Sequence, residues 1–280
     1  MTRYRIVHTT GFRYDSEVVA SYNEARMLPA RDEHQLVFAT KLEIQPHGAS
    51  HEYFDYFKTR AVMFEVLEPH SELTITSTSV VELRPALAVT PGLNWEDLHA
   101  EISSDLELVD AVSQTKRTTP PSELGKFARK SAEGLTPHET ALAICLKVFG
   151  EMTYKHGFTG VHSIAAEAWS AKVGVCQDYA HIAIGAMRSA GIPARYVSGY
   201  LHPSPDPVLG DKVVGESHAW VEWWAGSWFA FDPTNNVDVV DRHIVVGRGR
   251  DYDDVAPLRG VYAGAVYSEL FVSVEITKEA

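Results

Sequence analysis

The 280-residue chain has two cysteines, and they stand in different settings. Cys176 lies in Lys172-Val173-Gly174-Val175-Cys176-Gln177-Asp178, where a glycine-containing turn enters a helical pattern. A helix N-terminus carries partial positive charge and unpaired N–H groups, and both favour a thiolate nucleophile. Position alone leaves a structural cysteine open. Cys145 sits on an apolar helical face with Ala141, Ile144, Val148 and Phe149, where a thiol is a small buried hydrophobe.

A nucleophilic cysteine needs a base, and the base needs an orienting group. His181 is five residues further on, about 500° of helix, so it points roughly 140° away from Cys176. Its expected partner is Asp178, three residues earlier on a neighbouring row. His218 is better placed. Ser217-His218-Ala219-Trp220-Val221-Glu222-Trp223-Trp224, then Ala225-Gly226, then Ser227-Trp228-Phe229-Ala230-Phe231-Asp232, reads as a hairpin. A loop of two or three residues brings His218 opposite Asp232 or within two residues of it, in reach of an imidazole–carboxylate hydrogen bond. A purely structural His–Asp pair also satisfies this hairpin. Taken together, the helix-start cysteine and the His–Asp hairpin point to a Cys176–His218–Asp232 triad.

Elements must hold these groups. Residues 1 to 86 read as strands: Lys41 to Pro46 and Leu73 to Leu83 alternate, and Ala61 to Leu67 is a third. This half is expected to be an antiparallel β-sandwich-like domain used for packing or specificity. From residue 87 to 280 the pattern turns to helices and then strands. Thr136-Pro137-His138-Glu139 is a capping box with proline at the first helical position, and Gly150 is expected to end that helix. A second helix runs from about Gln177 to Ala190. Strands follow at Ala194 to Tyr200, His218 to Trp224, Trp228 to Asp232 and about Leu270 to Ile276. The fold class is α+β.

Composition narrows the partners. Twenty-five basic against 37 acidic residues give −12, which argues against a general nucleic-acid surface or an anionic-membrane anchor. No apolar run reaches the ~18 residues of a membrane span, and the first ten residues lack a signal peptide's apolar segment. The expected compartment is the cytoplasm, with both thiols reduced.

The ordered set Gly174-Val175-Cys176-Gln177-Asp178-Tyr179-Ala180-His181, Gly191-Ile192-Pro193-Ala194-Arg195-Tyr196, Ser217-His218-Ala219-Trp220-Val221-Glu222 and Asp232-Pro233-Thr234-Asn235 resembles bacterial transglutaminase-like proteins. Arg242-His243-Ile244 and the stretch Gly249-Arg250-Asp251-Tyr252-Asp253-Asp254 also fit. Pro29-Ala30-Arg31-Asp32-Glu33 and Asp55-Tyr56-Phe57 resemble the β domain that often precedes this core, although Lys58-Thr59 replaces the Gly-Asn usual there. The resemblance implies a papain-like core, with Cys176 as nucleophile, His218 as base and Asp232 as orienter. Calcium serves the eukaryotic relatives, but no EF-hand pattern is present here. No metal or other cofactor is therefore expected, and Asp251, Asp253 and Asp254 are expected to be solvated or paired with Arg248 and Arg250.

The implied reaction begins with thiolate attack on an amide carbonyl. The Cys176 N–H and Tyr154 are candidate donors to the oxyanion. A thioester then goes to water or to an amine. The leading expectation is a hydrolase of peptide or isopeptide bonds in a peptide or protein substrate. The alternatives are a transglutaminase and a non-catalytic binding domain on the same fold. The aromatic run Trp220, Trp223, Trp224 and Trp228 either lines a substrate groove or is partly core.

Overall fold

The computed structural model describes residues 1–84, 90–215 and 217–280. The expected domain boundary at 86/87 and Glu216 lie outside the described residues. Six strands open the chain: β1 (Thr2–Val18), β2 (Ala20–Ala25), β3 (Gln35–Gln45), β4 (Ser50–Phe54), β5 (Arg60–Val66) and β6 (His70–Leu83). Next come α1 (Trp95–Ser104), α2 (Leu106–Val112), α3 (Ser122–Ala132), α4 (Pro137–Glu151), β7 (Thr153–Tyr154), α5 (Ala165–Ala171), β8 (Val173–Gly174) and α6 (Cys176–Ser189). The last part holds β9 (Ala194–Leu201), β10 (Lys212–Gly215), β11 (Ser217–Trp224), β12 (Trp228–Asp232), β13 (Val237–Asp238), β14 (His243–Gly249), α7 (Tyr252–Val255), β15 (Leu258–Ala263) and β16 (Ser268–Lys278).

Two antiparallel sheets, ordered β10-β16-β1-β6-β3 and β15-β2-β5-β4, form the sandwich expected for the first half. Three of its strands, β10, β15 and β16, come from the later part of the chain. β16 pairs with β1 along Tyr4↔Lys278 to Tyr14↔Ser268, and β15 pairs with β2. By sheet membership, therefore, residues 258–278 lie with 2–83, although the sequence division groups them with the catalytic half. No local pattern in a strand says which sheet it joins.

The long sheet serves two neighbours with one face. At one end Tyr14, Val18, Leu73 and Ile75 pack on Ala25, Phe64 and Val66 of the smaller sheet. At the other end Tyr4, Ile6, Val81, Leu83, Val274 and Ile276 pack on Tyr200, Ile244 and Val246. The two sets share the even positions of β1 and the odd positions of β6, as strand alternation requires. Polar contacts finish that junction: the Gln35 amide spans Ala30 and both backbone groups of Val245, and His8 Nδ1 meets the Tyr200 hydroxyl at 2.9 Å.

The third sheet, β13-β12-β11-β9-β14, carries the hairpin. Its loop turns at Gly226, whose φ of +88° suits glycine. α6 packs against it and is buried along most of its length, enclosed with residues of α3, α4 and α5 in one core. The Thr136 capping box forms as expected. α4 runs through Gly150 to Glu151, and Phe149 is exposed rather than part of the apolar face, while Cys145 is fully buried there.

Gly199 shows how tightly the third sheet is built: a Cβ there would lie 2.0 Å from the Ile244 carbonyl oxygen and 2.6 Å from the Trp220 ring. Gly199→Ala is expected to cost about 3 kcal/mol by forcing backbone apart. Urea denaturation checks this; a midpoint equal to that of the parent protein would contradict the packing described.

Candidate active site

Cys176 is the first residue of α6, so its N–H has no intrahelical acceptor. The chain enters the helix through a turn stabilised by Asp178, whose Oδ2 accepts from Val175 N at 2.8 Å and from Thr159 Oγ1 at 2.6 Å. Asp178 thus caps its own helix and does not pair with His181, contrary to expectation. His181 is buried, and its Nε2 instead accepts the Tyr252 N–H at 3.1 Å. Burial first, and then the nearby Arg117 and Arg188, lower the His181 pKa to about 3, so the ring is neutral and structural.

The hairpin delivers the other two groups. Val221 pairs with Phe231, so one step further Trp220 lies opposite Asp232, and His218 is two residues away. His218 Nε2 donates to Asp232 Oδ2 at 2.7 Å. The ring's other nitrogen, Nδ1, is left for the Cys176 side chain, whose influence helps to raise the His218 pKa. Burial alone would lower the His218 pKa. The hydrogen bond to Asp232, the Cys176 side chain and the charges of both overcome burial and lift it to about 10.

Asp232 is fully buried, and its carboxylate is saturated with donors. Oδ1 accepts the backbone N–H groups of Thr234 at 2.9 Å and Asn235 at 3.2 Å, the turn that Asp232-Pro233-Thr234-Asn235 makes. Oδ2 accepts from His218, from Asn235 Nδ2 at 2.8 Å and from His243 Nε2 at 3.3 Å. Burial would raise this carboxyl, but the hydrogen bonds from His218 and His243, the His218 charge and the Asn235 amide hold it well below the usual carboxylate range. His243 is itself buried and stacks edge-on against Trp220 at 5.2 Å. Burial keeps it below its ordinary pKa despite Asp232, so it donates as a neutral imidazole.

His243 and Asn235 were given no role by the sequence. Both stood in quoted stretches, Asn235 after Asp232-Pro233-Thr234 and His243 in Arg242-His243-Ile244. His243 comes from β14, which is not adjacent to β12, so no local signal placed it here. The ligand atoms of His218, Asp232 and His243 lie within 4.8 Å of one another. The 2.7 Å His218–Asp232 spacing is that of a hydrogen bond, whereas ligands on tetrahedral zinc stand about 3.3 Å apart. His218 and Asp232 are therefore spaced as a hydrogen-bonded pair.

Tyr154 pairs with Gly174 across β7 and β8, two residues before Cys176, and is 41% exposed. It lines a depression of about 700 Å³ together with His218, Ser217, Thr234 and Arg242, with Leu201, Pro203, Pro205 and Val214 on the apolar side. Of the tryptophans, Trp220 and Trp223 are core, Trp224 bonds Glu101, and Trp228 faces a different cavity. Of the acidic cluster, only Asp254 pairs with Arg250; Asp253 takes Arg117, Asp251 caps α7, and Arg248 turns to Glu222 and Asp32.

The raised His218 pKa has a stability consequence. A histidine at about 6.5 when unfolded and about 10 when folded stabilises the protein fully below pH 6.5, and that contribution is lost as pH rises through 10. Asp232→Asn removes the carboxylate's share of the cause. The stability gap between parent and variant, read from urea midpoints, is expected to be widest near pH 6 and to narrow towards pH 10. A gap that stays constant over this range would contradict the charged pair.

Comparison with known proteins agrees with this architecture. Residues 125–233 match the transglutaminase-like superfamily, and residues 4–82 match the bacterial transglutaminase-like N-terminal region. An uncharacterized protein of Mycobacterium leprae is 42% identical over 282 residues, covering all of both chains. One from Mycobacterium tuberculosis is 35% identical over 98% of this chain and 92% of its own length. A protein-glutamine gamma-glutamyltransferase of Pseudomonas aeruginosa is 35% identical over 91 residues, 30% of this chain and 13% of that protein. The crystal structure of a candidate cysteine protease from Cytophaga hutchinsonii shares the fold, with a TM-score of 0.74 at 19% identity over 99% of this chain and 98% of that one. With both halves matched in order around Cys176, His218 and Asp232, the chain belongs to the transglutaminase-like superfamily, a cysteine-based catalytic family, and carries its bacterial N-terminal region.

Proposed function

We propose that the protein is a cysteine-nucleophile amide hydrolase acting on peptide or isopeptide bonds. The observation that carries this reading is the His218–Asp232 hydrogen bond at 2.7 Å, on a ring whose pKa is also raised by the cysteine that opens α6. In this reading the Cys176 sulfur attacks the substrate carbonyl as a thiolate paired with the His218 imidazolium. The Cys176 N–H, facing out of the helix start, is one donor to the oxyanion, and Tyr154 on the neighbouring strand is the second. The His218 imidazolium gives its proton to the leaving amine, and a thioester remains on Cys176. Neutral His218 then takes a proton from water as water attacks, and the acid product and free thiol result. Asp232 fixes the ring and balances the imidazolium throughout. The protein acts on a peptide or protein substrate in the cytoplasm.

A second reading has its own support. The 91-residue similarity to a protein-glutamine gamma-glutamyltransferase favours transfer of the acyl group to an amine. The two readings share every step up to the thioester.

Two measurements test the proposal. Iodoacetamide at about pH 6, below the ordinary thiol pKa of about 8.5, should label Cys176 well before Cys145, which is fully buried and whose thiol burial pushes further up. Equal labelling of both in the folded protein would overturn the triad. Cys176→Ala and His218→Ala should each lower turnover of glutamine-bearing peptides by about 10³-fold or more, and Asp232→Asn by less. Adding a primary amine then separates the readings by mass spectrometry: free acid alone supports the hydrolase, while an amide adduct supports the transferase. No turnover and no trapped thioester with any peptide would leave a binding domain.

A further inference from the structure

A larger cavity, of about 830 Å³, lies away from the triad where the N-terminal unit meets the third sheet. Arg195 and Glu222 face each other on β9 and β11 at this end. Glu222 is four residues along β11 from His218, about 13 Å at strand rise. Segments 29–32, 56–58 and 249–250 line the cavity. All three belong to motifs singled out in the sequence, and none has a part in the triad.

The charges facing this cavity are unequal in one respect. Each of its four carboxylates is already held by an arginine: Asp32 by Arg248, Glu52 by Arg60, Glu107 by Arg195 and Asp110 by Arg250 at 3.9 Å. Behind the wall, buried Glu222 takes Arg195 and Arg248, and Asp254 takes Arg250. Two lining cations have no ion pair among the described residues: Arg31, which acts on Glu52 only through space, and Lys58. With Glu222 and Asp254 counted, six cations stand against six carboxylates, so the cavity is neutral overall, and Arg31 and Lys58 are the two cations at its rim left outside the ion pairs among the described residues.

Lys58 sits at φ +62°, a conformation that glycine adopts freely and a lysine adopts at a cost. The remaining wall is aromatic. Phe54 and Tyr56 are each 69% exposed, Phe57 lies beside them, and Trp228 lies flat under the Arg195 guanidinium at 3.7 Å. Exposed rings beside free cations suit a ligand that has both a ring and an anion.

We propose that this cavity binds a small anionic ligand with an aromatic body. Its phosphate or carboxylate group sits at the Arg31–Lys58 rim, and its ring sits against Phe54, Tyr56 and Phe57. The site is separate from Cys176 and does not depend on the reaction proposed there.

The test titrates the full chain with phenyl phosphate, 3-phenylpropionate, inorganic phosphate and benzyl alcohol, followed by calorimetry and tryptophan fluorescence. At least one aromatic anion should saturate a single site about tenfold more tightly than phosphate or benzyl alcohol. The better of the two identifies the head group as phosphate or carboxylate. In the Arg31→Gln, Lys58→Gly double variant that affinity should fall about tenfold. Its melting temperature should hold or rise, because glycine relieves the positive φ. Alkylation of Cys176 should be unchanged, which separates failure here from failure of the catalytic reading. No saturation by either aromatic anion at about 10 mM, or equal affinity in the double variant, would overturn the proposal.

Discussion

Everything at the candidate site follows from one buried carboxylate. Removing an ionised Asp232 from water costs several kcal/mol unless donors replace its hydration. Five donors do so: two backbone N–H groups of its own turn, the Asn235 amide and two imidazoles. These arrive from β11, from the turn after β12 and from β14. They can meet only if the third sheet has its observed order and the 225–227 loop sets the hairpin register. His218 is then tied to a fixed negative charge, and that tie holds it protonated against its own burial.

The same requirement couples the site to the rest of the chain. β14 brings His243, yet β14 is held partly by the N-terminal unit, through the Gln35 amide at Val245 and through apolar contacts of Ile244 and Val246 with the long sheet. At the other end of β11, buried Glu222 repeats the solution. Burial would raise it, but Arg195 and Arg248 hold it down at about 2 and join β11 to β9 and β14. A strand with a charged network at each end has little freedom to slip. A one-residue slip would leave both networks unpaired.

The residues that local chemistry announces were readable in the sequence. Cys176 is announced by a turn entering a helix, His218 and Asp232 by a hairpin loop, and α4 by its capping box, because each signal spans a few neighbouring residues. What escaped depends on tertiary arrangement. His243 reaches Asp232 across sheet positions that are distant in sequence. β15 and β16 alternate like any strand, and nothing local assigns them to the N-terminal sheets. Asp178 and His181 are well spaced for a helical pair, but the unpaired Val175 N–H at the helix start takes the carboxylate instead. Gly150 looks like a helix end, yet α4 continues past it and ends at Met152, whose N–H bonds Val148.

The sheet exchange also bears on what a thioester at Cys176 would meet. β10 pairs with β16 in the long sheet, and after Glu216 the chain continues directly as β11 of the third sheet. Val214 and Gly215 of β10, with Leu201, Pro203 and Pro205, form one wall of the depression beside His218. That wall is therefore held in place by the N-terminal unit's sheet, although the groups assigned to the chemistry all come from the core. The N-terminal unit's long sheet thus reaches the candidate site through β16 and β10.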